Sequence, residues 1–196
     1  MSRQIPNYRL NHTDFYPTPA WCYENLEIPW KLFNSAHEPG AGDGRIVKFL
    51  TDKGIPTTYT EITEGTDFFE WNESADLILT NPPFSMAKEF IEHSLPRCNT
   101  CIMLLRLNFL GTIKRHEFWK ENTPTGIHIL SQRPSFTGSG TDATEYAWFI
   151  WTKHAFKWAT GIHFVPLPTK EQKDSANRSA REALAEYDEQ MHIDAD

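Results

Sequence analysis

No run of 18 consecutive apolar residues occurs in this 196-residue chain, so no membrane-spanning helix is expected. Cysteine is scarce, with Cys22, Cys98 and Cys101 the only three. That usage excludes a disulfide framework and suits a reducing compartment. Cys98-Asn99-Thr100-Cys101 has metal or redox spacing, but no second pair completes a zinc site. No metal is therefore expected, and the pair reads as a strand entry with ordinary buried thiols. The first residues, Met1 to Asn7, lack the apolar centre of a signal peptide, and a cytoplasmic location is expected. Positive charge is also short: 19 Lys and Arg face 26 Asp and Glu, for a net charge of −7. Such a balance argues against a uniformly basic surface for nucleic acid. Internal repeats and low-complexity segments are absent as well.

Aromatic residues are abundant. Seven Trp and thirteen Phe in a chain that is 39% hydrophobic supply the core of one domain. The pattern along the chain alternates. Strands are expected at Leu32–His37, Thr57–Ile62, Asp76–Thr80, Cys101–Leu107, Gly126–Ser131, Glu145–Trp151 and Ile162–Pro166. Helices are expected at Pro19–Leu26, Gly44–Lys53, Met86–Leu95 and Lys114–Glu121. Strands alternating with helices imply an α/β fold with a doubly wound, mostly parallel, seven-stranded sheet. Residues 1–168 form the main domain on this reading. Residues 169–196 form an amphipathic helix and tail, opened by the capping pattern Thr169-Lys170-Glu171-Gln172. The apolar stripe Ala176, Ala180, Ala183, Leu184, Tyr187 and Met191 suits docking on the same domain or a two-fold contact, so monomer and homodimer both remain open.

Two loops fall at carboxyl ends of expected strands, where open α/β sheets bind ligands. The first is Glu38-Pro39-Gly40-Ala41-Gly42-Asp43-Gly44. Its glycines permit positive φ and close approach of a ligand to the backbone. A phosphate-binding loop requires Gly-Lys-Ser/Thr, whereas Gly44-Arg45-Ile46 stands here, so ATP is disfavoured. Glu61 lies 17 residues past Gly44, an offset at which a carboxylate accepts from ribose hydroxyls. The second loop is Asn81-Pro82-Pro83-Phe84, directly after the apolar run Asp76–Thr80. The two prolines cannot continue a ladder. What remains is one amide, carbonyl oxygens and one ring, a set that holds a planar amine.

Together these segments resemble S-adenosylmethionine-dependent methyltransferases that act on the N6 amine of adenine in DNA, and most closely the short, phage-type ones. The resemblance spans about residues 14 to 151. It rests in order on Asp14-Phe15-Tyr16-Pro17-Thr18-Pro19, the 38–44 loop, Glu61, Asp67-Phe68-Phe69, Asn81-Pro82-Pro83-Phe84, and Arg133-Pro134-Ser135-Phe136 with Thr141 to Phe149. It implies a Rossmann-like methyltransferase fold, S-adenosylmethionine as cofactor, DNA as partner, and the cytoplasm of a bacterium or a phage-infected host. Residue by residue, it implies that Tyr16, Pro17, Thr18 and Pro19 line the methionine end of the cofactor. Glu38, Pro39, Gly40 and Gly42 contact its amino-acid part, Glu61 the ribose, and Asp67 with Phe68 the adenine. Asn81 and the Pro82 carbonyl take the target amine, Pro83 shapes the turn, and Phe84 stacks on the flipped base, aided by Phe136. One departure stands out: only five residues separate Glu61 from Asp67, too few for the helix expected there.

The implied chemistry needs in-line placement of two bound partners, without metal or covalent intermediate. The base is taken out of a duplex or presented single-stranded. Charge distribution softens the objection to nucleic acid. Residues 97–157 carry eight basic and four acidic side chains. Lys114 and Arg115 are the first candidates for phosphate contacts. A large recognition region is missing, since 13 residues lie between Asp67 and Asn81 and the 45 after Trp151 are mostly one helix. Specificity is therefore expected to be short or relaxed, or read by loops at 108–125 and 134–144. Methylation of an RNA or ribosomal base amine is the alternative, followed by protein glutamine and by a non-catalytic binding module.

Overall fold

The structure is a computed structural model and describes residues 16–193, with side chains described to residue 190. Asp14 and Phe15 of the N-terminal motif lie outside the described residues, as does the side chain of Met191. Seven strands form one sheet: β1 (Ala36–Pro39), β2 (Thr57–Thr60), β3 (Ala75–Thr80), β4 (Cys98–Arg106), β5 (Gly126–Leu130), β6 (Tyr146–Thr152) and β7 (Gly161–Val165). Their order is β2-β1-β3-β4-β6-β5-β7. All pairings are parallel except those of β6, which runs antiparallel between β4 and β5. Among the described residues, five α-helices accompany the sheet: α1 (Trp21–Glu24), α2 (Arg45–Asp52), α3 (Ala87–Ser94), α4 (His116–Glu121) and α5 (Lys170–Ile193).

Period-2 alternation sorts the central strands between two packed layers. Leu77, Leu79, Ile102, Leu104, Tyr146, Trp148 and Ile150 face Trp21 of α1, Ile46, Phe49 and Leu50 of α2, and Ala176 of α5. Ile78, Cys101, Met103, Leu105, Ala147, Phe149 and Trp151 face Phe90 and Ile91 of α3 and Phe118 of α4. The sheet is thus covered on both sides, as the alternating sequence implies. Buried Trp148 keeps its indole N–H satisfied by donating to the Cys22 carbonyl at 2.7 Å. Cys98 does open β4, and all three thiols are free and buried.

The boundaries differ at both ends of the chain's pattern. The first strand was expected at Leu32–His37, but Leu32 ends a 3₁₀ turn and β1 begins at Ala36. The strand is polar and yet buried, because His37 hydrogen-bonds to Thr58 and Thr60 of β2 and sits 3.9 Å from the Trp71 ring. Lys114 and Arg115 were expected to open a helix; they lie instead in a 3₁₀ turn, Ile113–Arg115, ahead of α4. The capping box is present: the Thr169 hydroxyl oxygen accepts from the Gln172 N–H, and the Gln172 amide oxygen accepts from the Thr169 N–H. Helix α5 packs along the 133–144 loop, where Arg181 donates to the Gly138 carbonyl at 2.7 Å.

Candidate active site

The carboxyl ends of β1, β2 and β3 bring both motif loops together. After β1 the chain turns through Gly40, Gly42 and Gly44, with φ of 72°, 55° and 72°. These are left-handed values that disfavour other residues. The Gly40 and Ala41 N–H groups donate to the Thr60 carbonyl at 2.8 and 3.1 Å. The Gly42 N–H donates to Oε2 of Glu61 at 2.7 Å. Oε1 of Glu61 accepts from the N–H and hydroxyl of Thr63 at 3.1 and 2.9 Å. Glu61 is buried and straps the glycine loop to the end of β2. A carboxylate has roughly four acceptor directions, so one remains for a ligand hydroxyl.

Glu38, in β1, is 2% exposed, and its Oε2 has no hydrogen-bond partner. Burial pushes its carboxyl well above the usual carboxylate range; the Val47 N–H opposes this, Asp43 and Glu61 reinforce it, and Arg45 opposes it. An orphaned acceptor at a buried site costs about 1–3 kcal/mol. The site thus fits a ligand that supplies an N–H, and best a cationic one. Arg45, paired with Asp43, donates to the Thr18 carbonyl at 3.1 Å and so ties the Tyr16–Pro19 segment to the start of α2.

β3 ends at Thr80, whose hydroxyl donates to the Pro39 carbonyl at 2.7 Å and fixes the spacing of the two loops. Asn81 follows. Its Nδ2 donates to Oγ1 of Thr18 at 3.0 Å and to the Tyr16 carbonyl at 3.3 Å. A carbonyl can only accept, so the orientation of the amide is set. Its Oδ1 is buried and has no partner. The Pro83 carbonyl accepts from the Met86 N–H at 2.9 Å, closing the turn that presents Phe84.

Phe84 belongs to a ring cluster with Tyr16, Tyr146 and Phe136, at centroid distances of 5.5, 5.5 and 6.2 Å. The guanidinium of Arg106 lies 4.5 Å from the Phe84 centroid. Its Nε donates to the Tyr146 hydroxyl at 3.0 Å, which in turn donates to Oδ2 of Asp142 at 3.0 Å. Burial pushes the Tyr146 phenol up and keeps it a donor. The sequence reading passed over Arg106; it included Asp142 and Tyr146 in the 141–149 segment of the resemblance but gave neither a role. A signal existed for the first: Arg106 is the sole charged residue between Arg97 and Lys114, at the carboxyl end of a strand.

Of the other expected site residues, Phe68 and Phe136 are buried, Asp67 and Arg115 half-buried and Lys114 exposed. Oδ1 of Asp67 accepts from the Phe69 N–H at 2.9 Å. Phe68 is buried against His37, Phe90 and Trp71. Phe136 is 3% exposed, with its edge toward Phe84. Lys114 is exposed, whereas Arg115 rests 4.0 Å from the Phe109 centroid and donates to that residue's carbonyl. Among the described residues, no group of three or more His, Cys, Asp or Glu could hold a metal ion.

No protein-family model matches the chain, and no curated protein matches it. Solved structures do. A proposed RNA methyltransferase of Pyrococcus horikoshii superposes with a TM-score of 0.55 at 15% identity, covering 78% of this chain and 90% of its own. A proposed class I S-adenosylmethionine-dependent methyltransferase of Listeria monocytogenes gives a TM-score of 0.50 at 10% identity, with 84% of this chain and 68% of its own covered. The chain shares with these two structures its fold, a single seven-stranded, mostly parallel sheet flanked by helices. At such low identity the likeness is one of fold.

Proposed function

We propose that this chain is an S-adenosylmethionine-dependent methyltransferase that acts on the N6 amine of adenine in DNA, with short or relaxed sequence specificity. The observation that carries the reading is the Asn81 amide: its nitrogen is clamped by Tyr16 and Thr18, and its buried oxygen is left without a partner. An acceptor held that way next to a stacking ring suits a planar amine. The residues of the glycine loop suit the cofactor. The orphaned Oε2 of Glu38 would take the ammonium of its methionine part, and the remaining acceptor direction of Glu61 a ribose hydroxyl. When bound, the cofactor supplies an electrophilic methyl on a sulfonium.

The protein's own part is placement. Accepting the amine hydrogens at Asn81 Oδ1 and the Pro82 carbonyl favours a more tetrahedral nitrogen, whose lone pair can leave the ring system. Stacking on Phe84 holds the ring plane and offsets part of the cost of unstacking the base. The in-line approach then lowers the barrier through orientation, and the nitrogen that gains the methyl sheds one of its two hydrogens as a proton to solvent, ending as a secondary amine. Transfer of labelled methyl groups to unmethylated DNA, RNA and ribosomes tests the reading. Label in DNA is the expected result. Label confined to RNA would move the reading to an RNA base amine, and label in none of the three would end it.

A further inference from the structure

We infer that the cavity beside Tyr16 binds a second nucleobase, adjacent to the methylated one, and selects for a base that carries an exocyclic amine. The inference rests on the nucleobase reading above and assigns the residues of its specificity. The cavity holds about 260 Å³ and is lined by Tyr16, Ser135, Phe136, Thr141 and Asp142, among others. That is slightly below the ~300 Å³ at which sites for larger ligands begin, and suits one flat ring system. Its position is next to the proposed amine site. Tyr16 offers its carbonyl to Asn81 and its ring to both Phe84 and the cavity, and Phe136 joins Phe84 to the same wall.

The polar groups define what fits. Asp142 is held on both oxygens, by the Thr144 N–H at 3.1 Å and the Tyr146 hydroxyl at 3.0 Å. Two of its roughly four acceptor directions therefore remain, and it has no donor to offer. Ser135 is buried to about nine-tenths, and its Oγ has no partner. A carboxylate repels phosphate and rewards an amine. Cytosine N4, adenine N6 and guanine N2 each present one, and thymine presents none. The target base is not the occupant: adenine has a single exocyclic amine, and Asn81 with Pro82 accepts it. A second base must therefore meet Asp142. The Asp142–Tyr146–Arg106 chain reaches Phe84, so occupation of the cavity and seating of the target ring share one hydrogen-bonded support.

Sequencing that detects modified bases, on DNA treated with wild-type enzyme and with Asp142→Asn, reads the inference out. Wild type should disfavour thymine at one position beside the methylated base by about tenfold. The Asn variant, whose amide donates to a carbonyl oxygen, should lose that bias among the sites it methylates, whatever the change in total yield. An unchanged context profile in the variant, or a wild-type profile that accepts thymine at every flanking position, overturns the inference. A direct measurement separates it from the nucleobase reading. Cytidine, but not thymidine, should shift the NMR resonances of Ser135, Phe136 and Asp142. If wild type methylates no nucleic acid yet cytidine produces those shifts, the cavity stands and the transferase reading falls; absence of shifts with either nucleoside rejects the cavity. Ser135→Ala, which removes only the orphaned hydroxyl, serves where Asp142→Asn fails to fold, and should weaken the cytidine shifts; unaltered shifts count against the inference.

Discussion

Glu38 shows how a single residue couples the site to the stability of the fold. Burial pushes its carboxyl well above the usual carboxylate range; the Val47 N–H opposes this, Asp43 and Glu61 add to it, and Arg45 opposes it. The unfolded chain ionises it at about pH 4.3. A native pKa above that value means that the folded state binds more protons, so stability is complete below the unfolded pKa and declines as pH rises toward the native one. Glu38→Gln removes the penalty. Thermal denaturation should show a gain in Tm at pH 8 and little change at pH 4. The same variant should bind S-adenosylmethionine at least tenfold more weakly in calorimetry, since it no longer offers a carboxylate to an ammonium. A Tm difference independent of pH would rule out the titration of Glu38 as its source. At the residue scale the candidate site was partly legible in the sequence. Asn81, Glu38 and Glu61 stood in motifs whose chemistry could be named. Asp142 and Tyr146 stood in the 141–149 segment without a role, and Arg106 in no motif, because the three meet only when β6 folds antiparallel beside β4, with Arg106 opposite Tyr146.

Among elements, the strands between the two layers were legible because each face alternates cleanly. β1 was not, because all four of its residues are buried and two of them, His37 and Glu38, are polar groups that a hydrophobic pattern cannot flag. Helix α5 was legible from its capping box and stripe, but its seat was not. It lies on the 133–144 loop, where a Cβ added at Gly138, already at φ of 68°, would approach the Asn177 carbonyl oxygen to 2.1 Å. Neither atom can yield cheaply, since the contact is with backbone. Gly138→Ala should cost about 2–5 kcal/mol, the sum of overpacking and a left-handed penalty. Chemical denaturation measures it, and the same substitution at exposed Gly140, where a Cβ meets nothing within 4 Å, should cost only the left-handed part. Equal losses at the two positions would mean that α5 is not seated on this loop. The loop also carries the cavity wall, so Gly138→Ala should disturb substrate context before it disturbs cofactor binding.

For the whole molecule the proposed function raises the question of how a chain of net charge −7 would hold DNA. Acidic residues dominate 61–92, where eight face one lysine, while 97–157 carries a surplus of four positive charges. Affinity follows the local surplus. Lys114 is free to meet phosphate, whereas Arg115 is engaged by Phe109. Lys114→Ala should weaken every DNA sequence alike and reduce the slope of log affinity against log salt by about 1. Arg115→Ala should lower thermal stability as well, because it removes packing. Salt titrations followed by fluorescence anisotropy distinguish the two. The central claim concerns the Asn81 oxygen, and it is tested most directly by digesting enzyme-treated DNA to nucleosides and identifying the methylated one by mass spectrometry, with wild type and Asn81→Ala side by side. N6-methyldeoxyadenosine should appear with wild type and fall by roughly 10²–10³-fold in the variant, the scale of losing one preorganised transition-state partner, while cofactor affinity stays within a few fold. Near-wild-type yield from a folded Asn81→Ala protein, or a methylated nucleoside other than N6-methyldeoxyadenosine, would contradict it.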